Sequence, residues 1–389
     1  MNYFSSDFKL GILGGGQLGK MLLAVTRKFD IQTYVLDPSN DAPCKIGCNT
    51  FVQGSLMDFE TVYNFGKQVD VLTFEIELVN LDALEKLENE GKKVYPSPKT
   101  LKLIQNKGIQ KNFYVRNNIP TARFKVFENS KKLVIDVLES KVKLPFVWKC
   151  TEFGYDGNGV KIVRTTDDLE NLPNIECIAE EMVPFYNELA VIVVRNVSGD
   201  VETYPIVEME FHPEANQVEY VICPARIDAK IAQKATEVAL QVSKAFHHVG
   251  LLAVEMFQTV EGEILVNEVA PRPHNSGHHT IEASYTSQFE NHLRAILNLP
   301  LGNCESKVAG IMVNLVGAEG FSGNVIYENI EKIMAIDGVT PHIYGKKETR
   351  PFRKMGHVTI VNEDMMQARK IAEEVKNSIR VISDNKQKL

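Results

Sequence analysis

Two glutamates, Glu255 and Glu268, constrain this chain more than any other feature. They lie in Val254-Glu255-Met256-Phe257 and Leu265-Val266-Asn267-Glu268, two apolar-rich runs joined around Glu261-Gly262. An acidic residue followed by glycine between two such runs predicts a hairpin. With Glu261 and Gly262 as the two turn residues, position 260 faces 263 and, further out, Glu255 faces Glu268. Opposed residues stand about 4.5–5.5 Å apart at Cβ, and like charges at that spacing repel. A divalent cation with oxygen ligands would relieve the repulsion, and magnesium usually takes one or two carboxylates plus phosphate oxygens. The alternative is a solvated edge hairpin whose two glutamates diverge into water.

The 389 residues suggest two or three domains. A hydrophobic share of 44% and a charged share of 24% are those of a globular chain. A net charge of −7 argues against general nucleic-acid affinity. No apolar run reaches the ~18 residues of a membrane span. The start, Met1-Asn2-Tyr3-Phe4-Ser5-Ser6-Asp7, lacks a basic region followed by an apolar core, so no signal peptide is expected there. Cys44, Cys48, Cys150, Cys177, Cys223 and Cys304 form no Cys-x-x-Cys and read as reduced thiols of a cytoplasmic protein. Cys44 and Cys48 could be half of a zinc site, but no second half accompanies them.

Three regions follow. The first, 1–98, alternates strands (Phe8 to Leu13, Thr33 to Leu36, Val69 to Phe74) with helices (Lys20 to Phe29, Leu78 to Glu90), which predicts a parallel sheet covered by helices. Pro96-Ser97-Pro98 marks its end. The second, 99–300, opens with one basic helix from Lys99 to Asn117, turns strand-rich, and carries a long helix from Ala229 to Phe246 before the glutamate hairpin. The third, 301–389, has strands near Ala309–Val316 and His357–Val361, a helix over Asp364 to Asn377, and a polar tail from Asn385 expected to fray.

Four further segments carry chemistry. Gly14, Gly16 and Gly19 form Gly-x-Gly-x-x-Gly between a strand and a helix, where backbone N–H groups can meet a phosphate. Asp37 ends the next strand, where a dinucleotide fold places its ribose-binding acid, so a nicotinamide dehydrogenase is a serious first reading. Lys149 precedes a second glycine-rich loop, Phe153-Gly154-Tyr155-Asp156-Gly157-Asn158-Gly159, and a lysine beside many unhindered amides can cover a polyphosphate. Glu180-Glu181-Met182-Val183 resembles a strand end leading into a linker that could meet an adenine edge, or simply a surface acidic pair. Lys346, Lys347, Arg350, Arg353, Lys354 and His357 form a basic cluster suited to a phosphorylated small molecule, or to solvent. Arg272 and His274 follow the hairpin at once and would lie beside the metal, whereas His278 and His279 read as hydrogen-bonded structural residues.

A lysine-bearing strand, a glycine-rich flap and two acidic strands resemble the ATP-grasp superfamily. Gly15 to Gly19, Thr73-Phe74-Glu75, Gly154-Tyr155-Asp156-Gly157, Asn267 to Arg272, His274-Asn275-Ser276-Gly277-His278 and Arg350 to His357 are similar to the N5-carboxyaminoimidazole ribonucleotide synthetase family within it, in order along nearly the whole chain. The resemblance implies an α/β (α+β elements) ATP-grasp fold with an N-terminal Rossmann-like parallel-sheet domain, a flap subdomain about 118–184, and a small C-terminal domain. It implies that Lys107 and Lys149 hold ATP phosphates under a flap of Gly154, Tyr155, Asp156, Gly157, Asn158, Gly159 and Val160. Glu180, Glu181, Met182 and Val183 would frame adenine, Glu188 would bind ribose, and His212, Asn267 and Glu268 would complete the ATP contacts. Glu255 and Glu268 would bind Mg2+. Gly16, Gln17, Leu18, Glu75, Lys346 and Arg353 would hold aminoimidazole ribonucleotide. Arg272 and His274, with Lys149, would serve catalysis beside bicarbonate.

The implied reaction, in the cytoplasm and in a homodimer, is attack of bicarbonate on the ATP γ-phosphate to give carboxyphosphate, followed by capture of the carboxyl group by the aminoimidazole amine. The sequence departs from the family pattern at Phe153 and Phe352, where glycine is common, at Leu78 and at Val160. In a regular strand Asn267 would point away from Glu268.

Overall fold

The computed structural model describes residues 3–152, 159–213 and 217–384. Its first sheet is wholly parallel, with strands in the order Thr50–Gln53, Gln32–Asp37, Lys9–Leu13, Val71–Phe74 and Lys93–Val94. The short runs Lys9–Leu13 and Val71–Phe74 are almost fully buried because helices cover both faces. The first helix, Gln17–Lys28, begins three residues before the position its apolar spacing suggests, so Gln17 and Leu18 are its opening turn.

The predicted single helix over Lys99 to Asn117 is instead two helices, Pro98–Gln105 and Lys107–Arg116. Asn106 breaks it. Its backbone is extended (φ −119, ψ 113) and its side chain accepts from Ile109 N, so it caps the second helix. The break places Lys107 at a helix start, where its amide donates to Thr151 O beside the second glycine-rich loop.

Two antiparallel sheets form the rest of the site. A four-stranded sheet runs Phe124–Phe127, Cys177–Glu181, Phe146–Cys150, Val160–Val163. A nine-stranded sheet runs from the hairpin strands Ile264–Ala270 and Gly250–Thr259 through Phe185–Arg195, Val207–Phe211 and Val218–Cys223. It continues without a break into Ala309–Val316, Lys354–Asn362 and Val339–Ile343, with Val201–Thr203 added beside Phe185–Arg195. The helix Ala229–Phe246 packs Ile231, Ala235, Ala239, Val242 and Phe246 against the inner face of this sheet. A further helix, Gln288–Ile296, packs Phe289, Leu293 and Ile296 into the core formed by the first helix and the parallel sheet. Shared cores and a shared sheet thus hold the regions together. A three-stranded sheet of Glu348–Thr349, Gly323–Glu328 and Arg380–Ser383 completes the C-terminal part.

Candidate active site

Glu255 does face Glu268, but the route to that register differs from the expected one. Thr259 N donates to Glu263 O and Gly262 adopts φ +78, which makes a three-residue loop of positions 260–262 with the glycine in the left-handed position. That loop alone would shift every pair by one. Further along, Met256 pairs with Val266 while Glu255 pairs with Glu268, so Asn267 is an extra residue in a bulge that restores the offset. The bulge also changes the aim of Asn267. Its Oδ1 accepts from Lys149 Nζ at 3.0 Å, on the side of the strand that Glu268 uses, and the regular-strand expectation that it points away is corrected.

Each of the two carboxylates already has a nitrogen partner. Lys107 Nζ stands 2.5 Å from Glu268 Oε2, and His274 Nε2 stands 3.0 Å from Glu255 Oε1. Lys107 first, and then its hydrogen bond and Lys149, pull the Glu268 carboxyl down to about 2 despite burial. Glu188, on Phe185–Arg195 two residues from Ala190, shares their corner, since Ala190 is the residue paired with Glu255. Burial, and then Glu255, push the Glu188 carboxyl up to about 8. Three carboxylates in one corner repel, and a cation would relieve all three. Among the described residues no group of three or more His, Cys, Asp or Glu is placed to hold a metal ion alone. Two opposed carboxylates fit magnesium, which leaves its other positions to phosphate and water oxygens.

Lys149 is delivered by Phe146–Cys150 and pairs with Glu180 Oε2 at 3.1 Å. Glu180 itself is buried, and the lysines Lys149 and Lys111 hold its carboxyl below the usual range against the effect of burial. Past it, Glu181 and Met182 are exposed and Val183 half-buried, an open edge at the end of the strand Cys177–Glu181. Gly159 (φ +75) leads into the strand Val160–Val163 that leaves the glycine-rich loop. Phe153 and the predicted flap residues Gly154, Tyr155, Asp156, Gly157 and Asn158 lie outside the described residues, as does the tail from Asn385. His212 follows Val207–Phe211, and its ring meets that of Phe352 edge-on at 6.0 Å. Phe352 adopts φ +61, a conformation that glycine reaches without strain, so this chain has set a bulky ring where the backbone favours none.

The first glycine turn has a different purpose from the one its motif suggests. Glu75 reaches into it from the end of Val71–Phe74, and Gly16 N and Gly19 N donate to its two carboxylate oxygens at 2.8 and 3.1 Å. A Cβ on Gly14 or Gly16 would stand 2.8 Å from Glu75 side-chain atoms, and one on Gly19 would stand 2.8 Å from Cys44 Sγ. The glycines therefore make room for a carboxylate and a thiol of the chain itself. Asp37 is likewise engaged, accepting from Gly15 N and Ser39 N, both at 2.7 Å. Both hallmarks of a dinucleotide site are thus spent internally. Of the first turn of the helix, the amides of Gln17 and Leu18 have no hydrogen-bond acceptor among the described residues. The basic loop of the C-terminal part comes to the same helix end: Lys20 Nζ donates to Ile343 O at 2.7 Å and Lys347 pairs with Asp41 at 2.5 Å. Lys346 Nζ donates to Lys354 O at 2.7 Å and Arg353 Nη1 to Glu348 O at 2.6 Å.

Between the two corners stands a block of imidazoles. His278 and His357 lie 4.7 Å apart, His357 and His342 stack at 4.4 Å, and burial holds the first two well below the ordinary histidine range. Gln288 ties this block to the corner of Glu255 and Glu268, bonding the backbone of His274 and the ring of His278. Arg272 reaches the other way, with Nε 2.8 Å from Glu77 Oε1. Glu77 and Lys111 are site residues that motif reading missed. A lysine one helical turn after Lys107 was the available signal for the second; nothing in the sequence marks the first.

A parallel-sheet unit, a glycine-loop sheet and an antiparallel sheet ending in two opposed glutamates define an ATP-grasp protein. Family models agree: a ribonucleotide synthetase preATP-grasp domain over 8–105, an ATP-grasp domain over 112–289, and a phosphoribosylaminoimidazole carboxylase C-terminal domain over 310–371. The N5-carboxyaminoimidazole ribonucleotide synthase of Bacillus subtilis is 37% identical, with 91% of each chain covered. The N5-carboxyaminoimidazole ribonucleotide synthetase of Thermotoga maritima superposes with a TM-score of 0.89 at 42% identity, covering 97% of this chain and 100% of that one. The Aspergillus clavatus enzyme, solved with ADP and 5-aminoimidazole ribonucleotide, gives 0.87 at 34% identity over 96% and 98% of the two chains. This chain belongs to the N5-carboxyaminoimidazole ribonucleotide synthetase family. It spans 64% of the length of the Saccharomyces cerevisiae phosphoribosylaminoimidazole carboxylase, to which it is 38% identical over 92% of its own residues. Among the described residues, no helix is long and apolar enough to cross a membrane.

Proposed function

We propose that this chain is an ATP-dependent carbon–nitrogen ligase that carboxylates 5-aminoimidazole ribonucleotide with bicarbonate, giving N5-carboxyaminoimidazole ribonucleotide for purine synthesis. Its three parts are a parallel-sheet domain over 1–98, an ATP-grasp domain over 99–300 and a C-terminal domain over 301–389, working as a cytoplasmic homodimer. The observation that carries the reading is the opposed pair Glu255 and Glu268, met by Lys107 from a helix start and flanked at Asn267 by Lys149 from the facing sheet.

In this reading Lys107 and Lys149 give up part of their hold on Glu268 and Asn267 to grip the ATP phosphates, with the loop 154–160 above them. Glu180 to Val183 line adenine, Glu188 and His212 sit at the sugar and base edge, and Glu255 and Glu268 hold the magnesium. The ion would neutralise the phosphate oxygens and polarise the transferring phosphoryl group. Bicarbonate lies beside Arg272 and His274, whose links to Glu77 and to Glu255 and Ser276 fix their orientation. Its oxygen attacks the γ-phosphorus, the bond to the β-phosphate oxygen breaks, and carboxyphosphate forms beside ADP. Water must be kept out, because carboxyphosphate hydrolyses. The aminoimidazole ribonucleotide phosphate rests on the Gln17 and Leu18 amides between Lys346 and Arg353. Its amine then takes the carboxyl group, releasing phosphate.

The test is ADP release by the pure chain with MgATP and bicarbonate. Release that rises several-fold on adding aminoimidazole ribonucleotide and falls when bicarbonate is stripped supports the reading. Release indifferent to both would refute it.

A further inference from the structure

The helix that brings Lys107 to the site carries a second lysine one turn on. Lys111 is only 2% exposed, among the most deeply buried large side chains of the molecule. A buried ammonium is unfavourable unless it is paired and hydrogen-bonded. Its Nζ lies 3.1 Å from Glu180 Oε1 and donates to Thr121 Oγ1 at 2.6 Å. The other oxygen of Glu180 faces Lys149, Lys149 donates to Asn267, and Thr121 Oγ1 donates in turn to Val266 O at 2.7 Å. Val266 and Asn267 are neighbours at the bulge, so the network closes on itself. It ties the helix Lys107–Arg116, both middle strands of the small sheet and the acidic hairpin at one point.

We infer that Lys111 is a positioning residue for nucleotide binding, which sets the charge and place of Lys149 through the carboxylate they share. This rests on the reading of Lys149 as a phosphate ligand. The reason is a count of charge. One carboxylate between two ammoniums leaves a net positive charge, and an incoming phosphate can draw on it. Without Lys111, Glu180 and Lys149 close into a neutral buried pair, and Lys149 must break that pair to reach a phosphate. Lys111 itself, walled in by Thr121 and Glu180, does not touch the ligand.

The test is a double-mutant cycle read as the ATP Kd by titration calorimetry, with and without magnesium, on variants whose folding is checked by thermal unfolding. Lys111→Met keeps length and removes charge. It should raise the ATP Kd about tenfold, while in the Lys149→Met background it should change it by less than about threefold. A purely structural role would lower the unfolding temperature but leave the Kd of the folded fraction unmoved, or weaken binding equally in both backgrounds; either result overturns the inference. Should Lys111→Met fail to fold, Thr121→Val keeps every charge and removes the acceptor of Lys111 together with the donor to Val266 O. A roughly threefold rise in Kd that disappears in the Lys149→Met background supports the proposal, and an unchanged Kd overturns it. ATP binding is read without aminoimidazole ribonucleotide, so failure of the ligase reading in the turnover assay and failure here are separate results.

Discussion

The two proposed anion-binding corners of this molecule hold their main cations in different ways. At the hairpin, lysines meet carboxylates: Lys107 with Glu268, and Lys149 and Lys111 with Glu180. At the other corner Lys346 and Arg353 donate to backbone carbonyls, and burial together with Arg350 lowers the Arg353 pKa. A carbonyl orients the Arg353 guanidinium without cancelling its charge. The first plan suits a ligand that arrives with its own divalent ion, because the carboxylates released by the lysines have that ion to bind. The second suits a bare phosphate monoester, which needs positive charge already in place. Glu75 shows how far the plan extends. It takes the Gly16 and Gly19 amides, so that the helix end offers only Gln17 and Leu18.

The comparison breaks most visibly at Glu268. Replacing it with Ala removes one of the two carboxylates proposed to hold magnesium and leaves Lys107 without that partner, and kcat for ADP release at saturating MgATP should fall about 10³-fold. A variant that keeps more than a tenth of wild-type kcat would contradict the charge-paired plan. At the other corner Arg353→Met should raise the KM for aminoimidazole ribonucleotide roughly 10- to 100-fold, the scale of one charged hydrogen bond. The KM for ATP should stay within about twofold if the two corners are independent; steady-state kinetics with each substrate varied in turn decides this.

A third prediction concerns three other buried histidines. Burial holds His248 and His279 at about 4 and His292 at about 3, below the ordinary 6.5. The unfolded chain takes up these protons as pH falls below 6.5 and the native protein does not. Stability is therefore intact above that pH and lost as pH drops from there toward 4. Each such histidine contributes about 1.4 kcal/mol per pH unit inside that window. Thermal unfolding followed from pH 7.5 downward should show the midpoint level at first and then falling steeply. A flat profile to pH 5 would mean that the imidazoles are not neutral. The smallest effect belongs to Phe352. Phe352→Gly and Phe352→Ala both lose the ring against His212, but only glycine frees the left-handed backbone. The glycine variant should be the more stable of the two by about 1 kcal/mol, measured by urea unfolding.

Much of the architecture was legible because apolar period and glycine punctuation are local signals. The helix Ala229–Phe246 and the strand Ala309–Val316 match their predicted limits. The single helix expected over Lys99 to Asn117 failed because helix spacing continues across Asn106, and only its side-chain cap shows that the chain turns there. The opposition of Glu255 and Glu268 was reached from a two-residue turn. The real turn is one residue longer, and the bulge at Asn267 cancels the error. A bulge leaves no mark in composition, so neither offset could be read. The glycine motif misled for a related reason. Gly14, Gly16 and Gly19 report close approach, and the sequence does not say whether a cofactor or Glu75 does the approaching.

What the amino-acid order determined alone was which residue types are available and how far apart they stand along the chain: two glutamates on a hairpin, lysines before a glycine loop, arginines and lysines in a late basic run. Which of them meet was decided by tertiary structure. Glu180 receives Lys111 from a helix and Lys149 from a neighbouring strand, and Arg272 reaches Glu77 across nearly two hundred residues of chain. Charge pairing falls off over a few ångströms, whereas sequence separation says nothing of distance once sheets have folded. The partners of a buried charge are therefore set by packing and can be read only there.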